Sequence, residues 1–185
     1  GFYFSGPPFG PFAAEVRQFA PRRLNELKPQ EHVRVAGFVT AVRTMMGRRG
    51  KIAFATVEDQ NGQAEVMVSG QVLEEAAGRL KADRVLIMEC KISRDDYSGG
   101  DALRIMANSV LDLSTARERF ARSVRLSLAP HHDIRALAEL IESSRQEGSR
   151  IPMQLSYGNA AASGDLRPGT RWSISPSADM FNRLE

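Results

Sequence analysis

Cysteine is almost absent from this chain: Cys90 stands alone. One thiol cannot close an internal disulfide, and its place in an apolar run reads as a small buried hydrophobe, so a reducing cytoplasm is the expected compartment. Long apolar runs are missing too. None approaches the roughly 18 residues of a membrane span, and the first residues lack the basic start of a secretory leader. No membrane partner is expected. Also missing are the motifs that usually announce chemistry: there is no Cys-x-x-Cys, no G-x-x-x-x-G-K-S/T, no G-x-S-x-G and no G-x-G-x-x-G. His131 and His132 are adjacent and on a helix would point about 100° apart, which makes them poor co-ligands and better helix-start residues. Asp95, Asp96 and Asp101 crowd one turn-rich hairpin, where aspartate is a favoured turn residue, and no second carboxylate cluster joins them. No catalytic residue, metal site or cofactor is expected in this segment.

What is there is a soluble, foldable composition. Hydrophobic residues make up 42% and charged residues 25% of the 185, with a formal charge of +3. That is enough apolar material for a packed core, and the mild positive charge favours a nucleic-acid partner without demanding one. Residues 1–31 read as a connector: a Gly-, Pro- and Phe-rich start, then short helical turns broken by Pro21. From residue 32 to 113 the texture is β-branched. A long strand carries Gly37, which signals a bend or close backbone approach. "KIAFATVED" is a second strand, and Asn61-Gly62 suits a tight turn with φ > 0. "QAEVMVSG" is a third. A short helix follows with Val72, Leu73, Ala76 and Leu80 on one side, then two more strands. Three strands, a helix and two strands match a five-stranded, partly open OB-fold barrel. Residues 114–123 read as a helical linker. Residues 124–185 alternate strands and helices in a small α/β unit, with Pro130 early in its first helix and Ser175-Pro176 opening its last. The whole is mainly β with α+β character.

The best functional lead is a basic stretch. Between His32 and Val57 there are five cations, Arg34, Arg43, Arg48, Arg49 and Lys51, and no acid. Alternation along "IAFATVED" puts Ala53, Ala55 and Val57 on one face and Phe54, Thr56 and Glu58 on the other. Phe54 then points outward beside a mobile cationic loop. That pairing suits single-stranded nucleic acid: a ring stacks a base while cations track phosphates. The same parity turns Glu65 outward on the third strand, where it either accepts from a base amino group or solubilises the sheet. Tyr97, in the loop between strands four and five, is a further stacking candidate.

Several stretches resemble a known family, in order and spacing. "GFYFSGPP", "VRVAGFVTAVRTMMGRRGKIAFATVEDQNGQAEVMV", "DRVLIMECKISRDDYSGG" and "SVLDLSTARERFARSVRLSL" are similar to the C-terminal portion of bacterial DNA polymerase III alpha subunits. "IPMQLSYGNAAASGDLRPGTRWSISPSADMFNRL" continues the likeness. The resemblance implies a parent DNA polymerase, a nucleotidyltransferase using magnesium, whose catalytic regions lie upstream and outside this chain. It implies that the OB-fold contacts single-stranded template and that the last unit docks the tau subunit of the clamp loader. Gly6-Pro7-Pro8 stands where the family usually has Gly-His-Pro. "SADMF" (177–181) resembles a sliding-clamp pentapeptide with Ser for the usual leading Gln, although the family starts a helix there. The OB region also resembles anticodon-binding domains of class II aminoacyl-tRNA synthetases, in which positions matching Arg43, Phe54 and Glu65 contact bases. An anticodon-binding-like module is therefore the alternative within nucleic-acid binding.

From another class comes a protein-docking reading. A unit of about 60 residues is small for independent stability, and Trp172, Met180 and Phe181 are its candidate partner anchors.

Overall fold

Five strands carry the β-branched texture that begins at His32. The computed structural model describes residues 13–95, 102–143, 151–169, 172–175 and 180. The strands are β1 (His32–Gly47), β2 (Gly50–Asp59), β3 (Gly62–Ser69), β4 (Arg84–Arg94) and β5 (Leu103–Leu111). They close in the order β1-β2-β3-β5-β4, the expected OB-fold barrel. Closure requires one strand long enough to be shared. β1 supplies it with 16 residues. Its first half pairs with β4 and its second with β2. The register shifts between Val39 and Ala41 where the strand changes partner, as a bulge does. Gly37 lies just before. A β-carbon there would sit 2.8 Å from Val57 Cβ, so the close approach expected at this glycine is present.

The alternation on β2 and β3 fills the barrel. Ala53, Ala55, Val57, Val66 and Val68 have no exposed surface. They join Val35, Val39, Leu86, Met88 and Ile92 in one core. Helix α2 (Gly70–Ala76) lies between β3 and β4, burying Ala76 in that core with Leu80 beyond its end. The connector forms helix α1 (Ala13–Phe19) and, after Pro21, a short 3-10 turn at Leu24–Glu26. Leu24 enters the barrel core. Its backbone N–H donates to Asp59 Oδ2 at 2.9 Å, and the N–H of Asn61 donates to Asp59 Oδ1 at 2.7 Å. This corrects the expected positive φ at Asn61-Gly62, since neither residue adopts it. The aspartate side chain closes the turn instead, as an Asx-turn does.

The chain divides into two compact units, Gly1–Leu113 and Ser114–Glu185. After helix α3 (Leu113–Phe120) come β6 (Val124–Leu128), helix α4 (Ile134–Ser143), β7 (Met153–Gly158) and β8 (Ser163–Leu166). β6 and β7 are parallel, so α4 is the crossover that such a pair requires. β8 adds antiparallel to β7. Ile174 forms an isolated antiparallel bridge with Ile151. The α4 start also moves from its expected place. Asp133 caps it, accepting from the N–H groups of Arg135 and Ala136 at 2.8 and 3.2 Å. His131 and His132 precede the helix, and His132 Nδ1 accepts from the N–H of Ala129. The core of this unit is Val124, Ile141, Met153, Ile174 and Met180. Among the described residues no helix is long and apolar enough to cross a membrane.

Candidate nucleic-acid interface

With the inner face of the β1–β2–β3 sheet filled by small and β-branched residues, the alternate positions point out. Phe54 is one of them and is half-buried, so the parity read from Thr56 and Glu58 holds. Register sets its neighbours: Arg43 opposite it on β1 and Met67 on β3. Met67 in turn aligns with Met106 on β5. The Arg43 guanidinium carbon lies 4.2 Å from the Phe54 ring centroid. Its Nη2 donates to both Glu65 carboxylate oxygens at 2.8 and 2.9 Å, and its Nε to one of them at 3.1 Å. Three residues nominated from sequence thus form one cluster: ring, cation above it, acid holding the cation. The side chains are 60% and 46% exposed, and an exposed ion pair of this kind contributes about 0–1 kcal/mol. Its interest is positional. A base can stack on the guanidinium plane or take its place on the ring.

The basic stretch is a hairpin whose turn is shorter than the loop expected there. Gly47 pairs with Gly50, leaving only Arg48 and Arg49 as the turn. The left-handed backbone that the turn demands falls on Gly50, with φ +114°. Arg48, Arg49 and Lys51 are exposed and take no part in an ion pair among the described residues. Lys51 is registered to Met46 and by alternation faces away from Phe54. Arg34 is not brought to this hairpin. It lies on the part of β1 paired with β4, opposite Glu89. Reading the basic residues alone missed Met45 and Met46, which are 49% and 78% exposed. The signal was available: counting the alternation back across the turn puts Met45 on the Phe54 face.

Beside Phe54 runs a groove of about 490 Å³, floored by Phe54, Met67, Leu24 and Leu103 and edged by Gln63, Glu65, Asp95 and Arg104. Arg104 Nη2 holds Asp95 Oδ1 at 2.9 Å, so that carboxylate is neutralised where it meets the groove. Tyr97, Asp96 and Asp101 lie outside the described residues. Among the described residues no three His, Cys, Asp or Glu side chains gather as a metal site would require. Cys90 is buried. Burial, with the Glu89 charge as a lesser cause, pushes its thiol up to about 12, so it is no nucleophile.

In the second unit Trp172 is half-buried against the core cluster. Met180 is 1% exposed and belongs to that core, which corrects its reading as a partner anchor: a side chain already enclosed by its own unit has no surface to offer. Phe181 and most of the 177–181 pentapeptide lie outside the described residues.

Residues 33–113 match the family of the OB-fold nucleic acid binding domain. Over all of its length the chain is 61% identical to DNA polymerase III subunit alpha of Neisseria meningitidis serogroup A. It is 36% identical, again over all of its length, to the same subunit of Escherichia coli K12. It spans about 16% of each of these relatives. Among solved structures, the second OB-fold domain of replication protein A from Methanococcus maripaludis aligns with 50% of this chain and 93% of its own at 15% identity, TM-score 0.40. Asparaginyl-tRNA synthetase from Pyrococcus horikoshii aligns with 50% of this chain and 22% of its own at 20% identity, TM-score 0.40.

Proposed function

We infer that this chain is the non-catalytic C-terminal segment of a DNA polymerase III alpha subunit, binding single-stranded template through its OB-fold and docking the clamp-loader tau subunit through its second unit. The observation that carries the first part is the outer face of β1–β3. An aromatic ring, a guanidinium above it and a cationic turn at the hairpin end share one sheet. The ring and guanidinium present π-faces to bases, which every base can use. Arg48 and Arg49 reach phosphates, which carry no sequence information. The result is grip without sequence selection, the behaviour that a polymerase needs ahead of its active site. Nucleotidyl transfer and its magnesium ions belong, on this reading, to other parts of the parent chain. Tau docking is supported by likeness to the relatives that runs through the second unit as well as the barrel.

Fluorescence anisotropy with labelled oligo-dT tests the single-strand reading. The chain binds at low salt, and affinity falls as salt rises, with a slope of about −0.7 per neutralised phosphate. Arg48→Glu with Arg49→Glu weakens binding and flattens that slope. No binding at low salt, or indifference to the double variant, overturns it. Titration against full-length tau tests the second part, and absence of a complex overturns it.

The Arg43–Phe54–Glu65 cluster favours one other reading, an anticodon-binding-like module, because an outward carboxylate can accept from a base amino group. Tight binding of tRNA with no binding of oligo-dT would select it.

A further inference from the structure

We propose that Met45 and Ile52 form a second base-stacking step on the OB face, one place closer to the hairpin tip than Phe54. The inference rests on the single-strand reading above and extends it to residues that carry no charge. Met45 and Ile52 are cross-strand partners. They lie two residues along each strand from the Arg43–Phe54 pair, which puts them on the same face and about 6.8 Å further along. That is close to the reach of one extended nucleotide.

The fold does not explain these side chains. Met45 is 49% exposed on a hairpin whose core-facing residues end near Ala53. Ile52 does have a local support. A β-carbon on Gly47 would meet Ile52 Cδ1 at 2.7 Å, so the glycine leaves room for Ile52 to lie over the hairpin backbone. Met45 is its cross-strand partner. Such a step suits a base. The thioether is polarizable and adapts to differently shaped rings, and stacking on an apolar platform is tolerant of sequence.

The occupant follows from charge. Arg48 and Arg49 form the turn between Met45 and Ile52, and no acidic residue occurs in sequence between His32 and Val57. An apolar step beside the cations of the turn, unpaired among the described residues, with the nearby carboxylate of Glu65 already held by Arg43, suits a polyanion with flat apolar faces, which is a nucleic-acid strand. The face then reads as two rows: Met45 and Ile52 nearer the tip, then Arg43, Phe54, Met67 and Met106 in register across the sheet.

The test is an oligo-dT length series read by anisotropy, with the whole chain, at two salt concentrations. The double variant Met45→Gln with Ile52→Thr keeps the charge. It weakens binding roughly five-fold or more, as loss of one stacked base does, with an unchanged salt slope, and shortens by one nucleotide the oligonucleotide length at which affinity levels off. Met45→Gln alone, at an exposed position that the core does not use, shows the same pattern in smaller measure and guards against a folding defect at Ile52. Wild type that binds oligo-dT while both variants bind equally well overturns this proposal and leaves the single-strand reading standing. Weakened tau binding with intact DNA binding overturns it too, by assigning the pair to a protein partner. Wild type that binds no oligo-dT overturns the parent reading along with it.

Discussion

Replacing Glu65 by glutamine separates two roles that one carboxylate could play. In the free protein Glu65 holds Arg43 over Phe54 through contacts of 2.8 to 3.1 Å. If that is its role, the acid keeps a cation in reserve, and Glu65→Gln releases it to the strand. Both side chains are largely exposed, so folding stability changes by less than about 1 kcal/mol. The DNA effect is larger. One additional phosphate contact steepens the logarithmic salt dependence by about 0.7, which at 0.1 M salt raises affinity about five-fold. Oligo-dT and oligo-dC gain alike, because phosphates are common to both. The assay is anisotropy with the two homopolymers across a salt series, with thermal melts as the folding control. The opposite outcome is equally readable. If Glu65 accepts from a base amino group, the variant binds oligo-dC more weakly at an unchanged slope and leaves oligo-dT alone, since thymine has no amino group to offer. That result would refute the reserve-cation argument.

Other consequences are structural. Gly37→Ala drives a β-carbon to 2.8 Å from Val57 Cβ and 3.3 Å from the Glu58 carbonyl oxygen. Overpacking of this kind costs about 1–3 kcal/mol, so the thermal midpoint drops by several degrees; an unchanged midpoint contradicts the close approach. Asp59→Ala removes two hydrogen bonds at once, to Asn61 and to Leu24, and destabilises the chain by about 1–3 kcal/mol. Asp59→Asn, whose single carbonyl oxygen can keep one of the two, is milder in the same denaturant titration. Cys90 is inert to a thiol reagent at pH 8 in the native protein and reacts fully in denaturant. Its folded value of about 12 lies above the ordinary 9.0. The stability linked to this proton is therefore present below pH 9 and is lost as pH rises toward 12. Rapid native alkylation would contradict its burial.

The barrel was legible because its alternation was unusually clean. Small and β-branched residues at 53, 55, 57, 66 and 68 left one inward face, and Thr56 with Glu58 named the other, so the direction of Phe54 followed. Gly37 was legible for the same reason, as a glycine in a β-branched strand needs a steric cause. The Arg43–Glu65 pair as a contact was not. It joins residues 22 apart through a register that only the closed sheet determines. The length of the hairpin turn was not legible, because it depends on Gly47 pairing with Gly50, which closes the connection over two residues. Asn61-Gly62 misled because the turn rule weighs the residues inside the turn, and the controlling group is the Asp59 carboxylate just before it. Met180 misled because an apolar residue near a chain end reads equally well as anchor or core, and only the packing of Val124, Ile141, Met153 and Ile174 around it decides.

The central claim is that the outer face of β1–β3 is where a single strand lies. Chemical-shift mapping with the isotope-labelled chain tests it most directly, titrating oligo-dT at low salt. The largest shifts are expected on Arg43, Met45, Phe54, Glu65 and Met67 and on the turn at Arg48 and Arg49, while β6, β7 and β8 stay still. Shifts confined to the second unit, or to the β1–β4 side around Arg34 and Glu89, would contradict it.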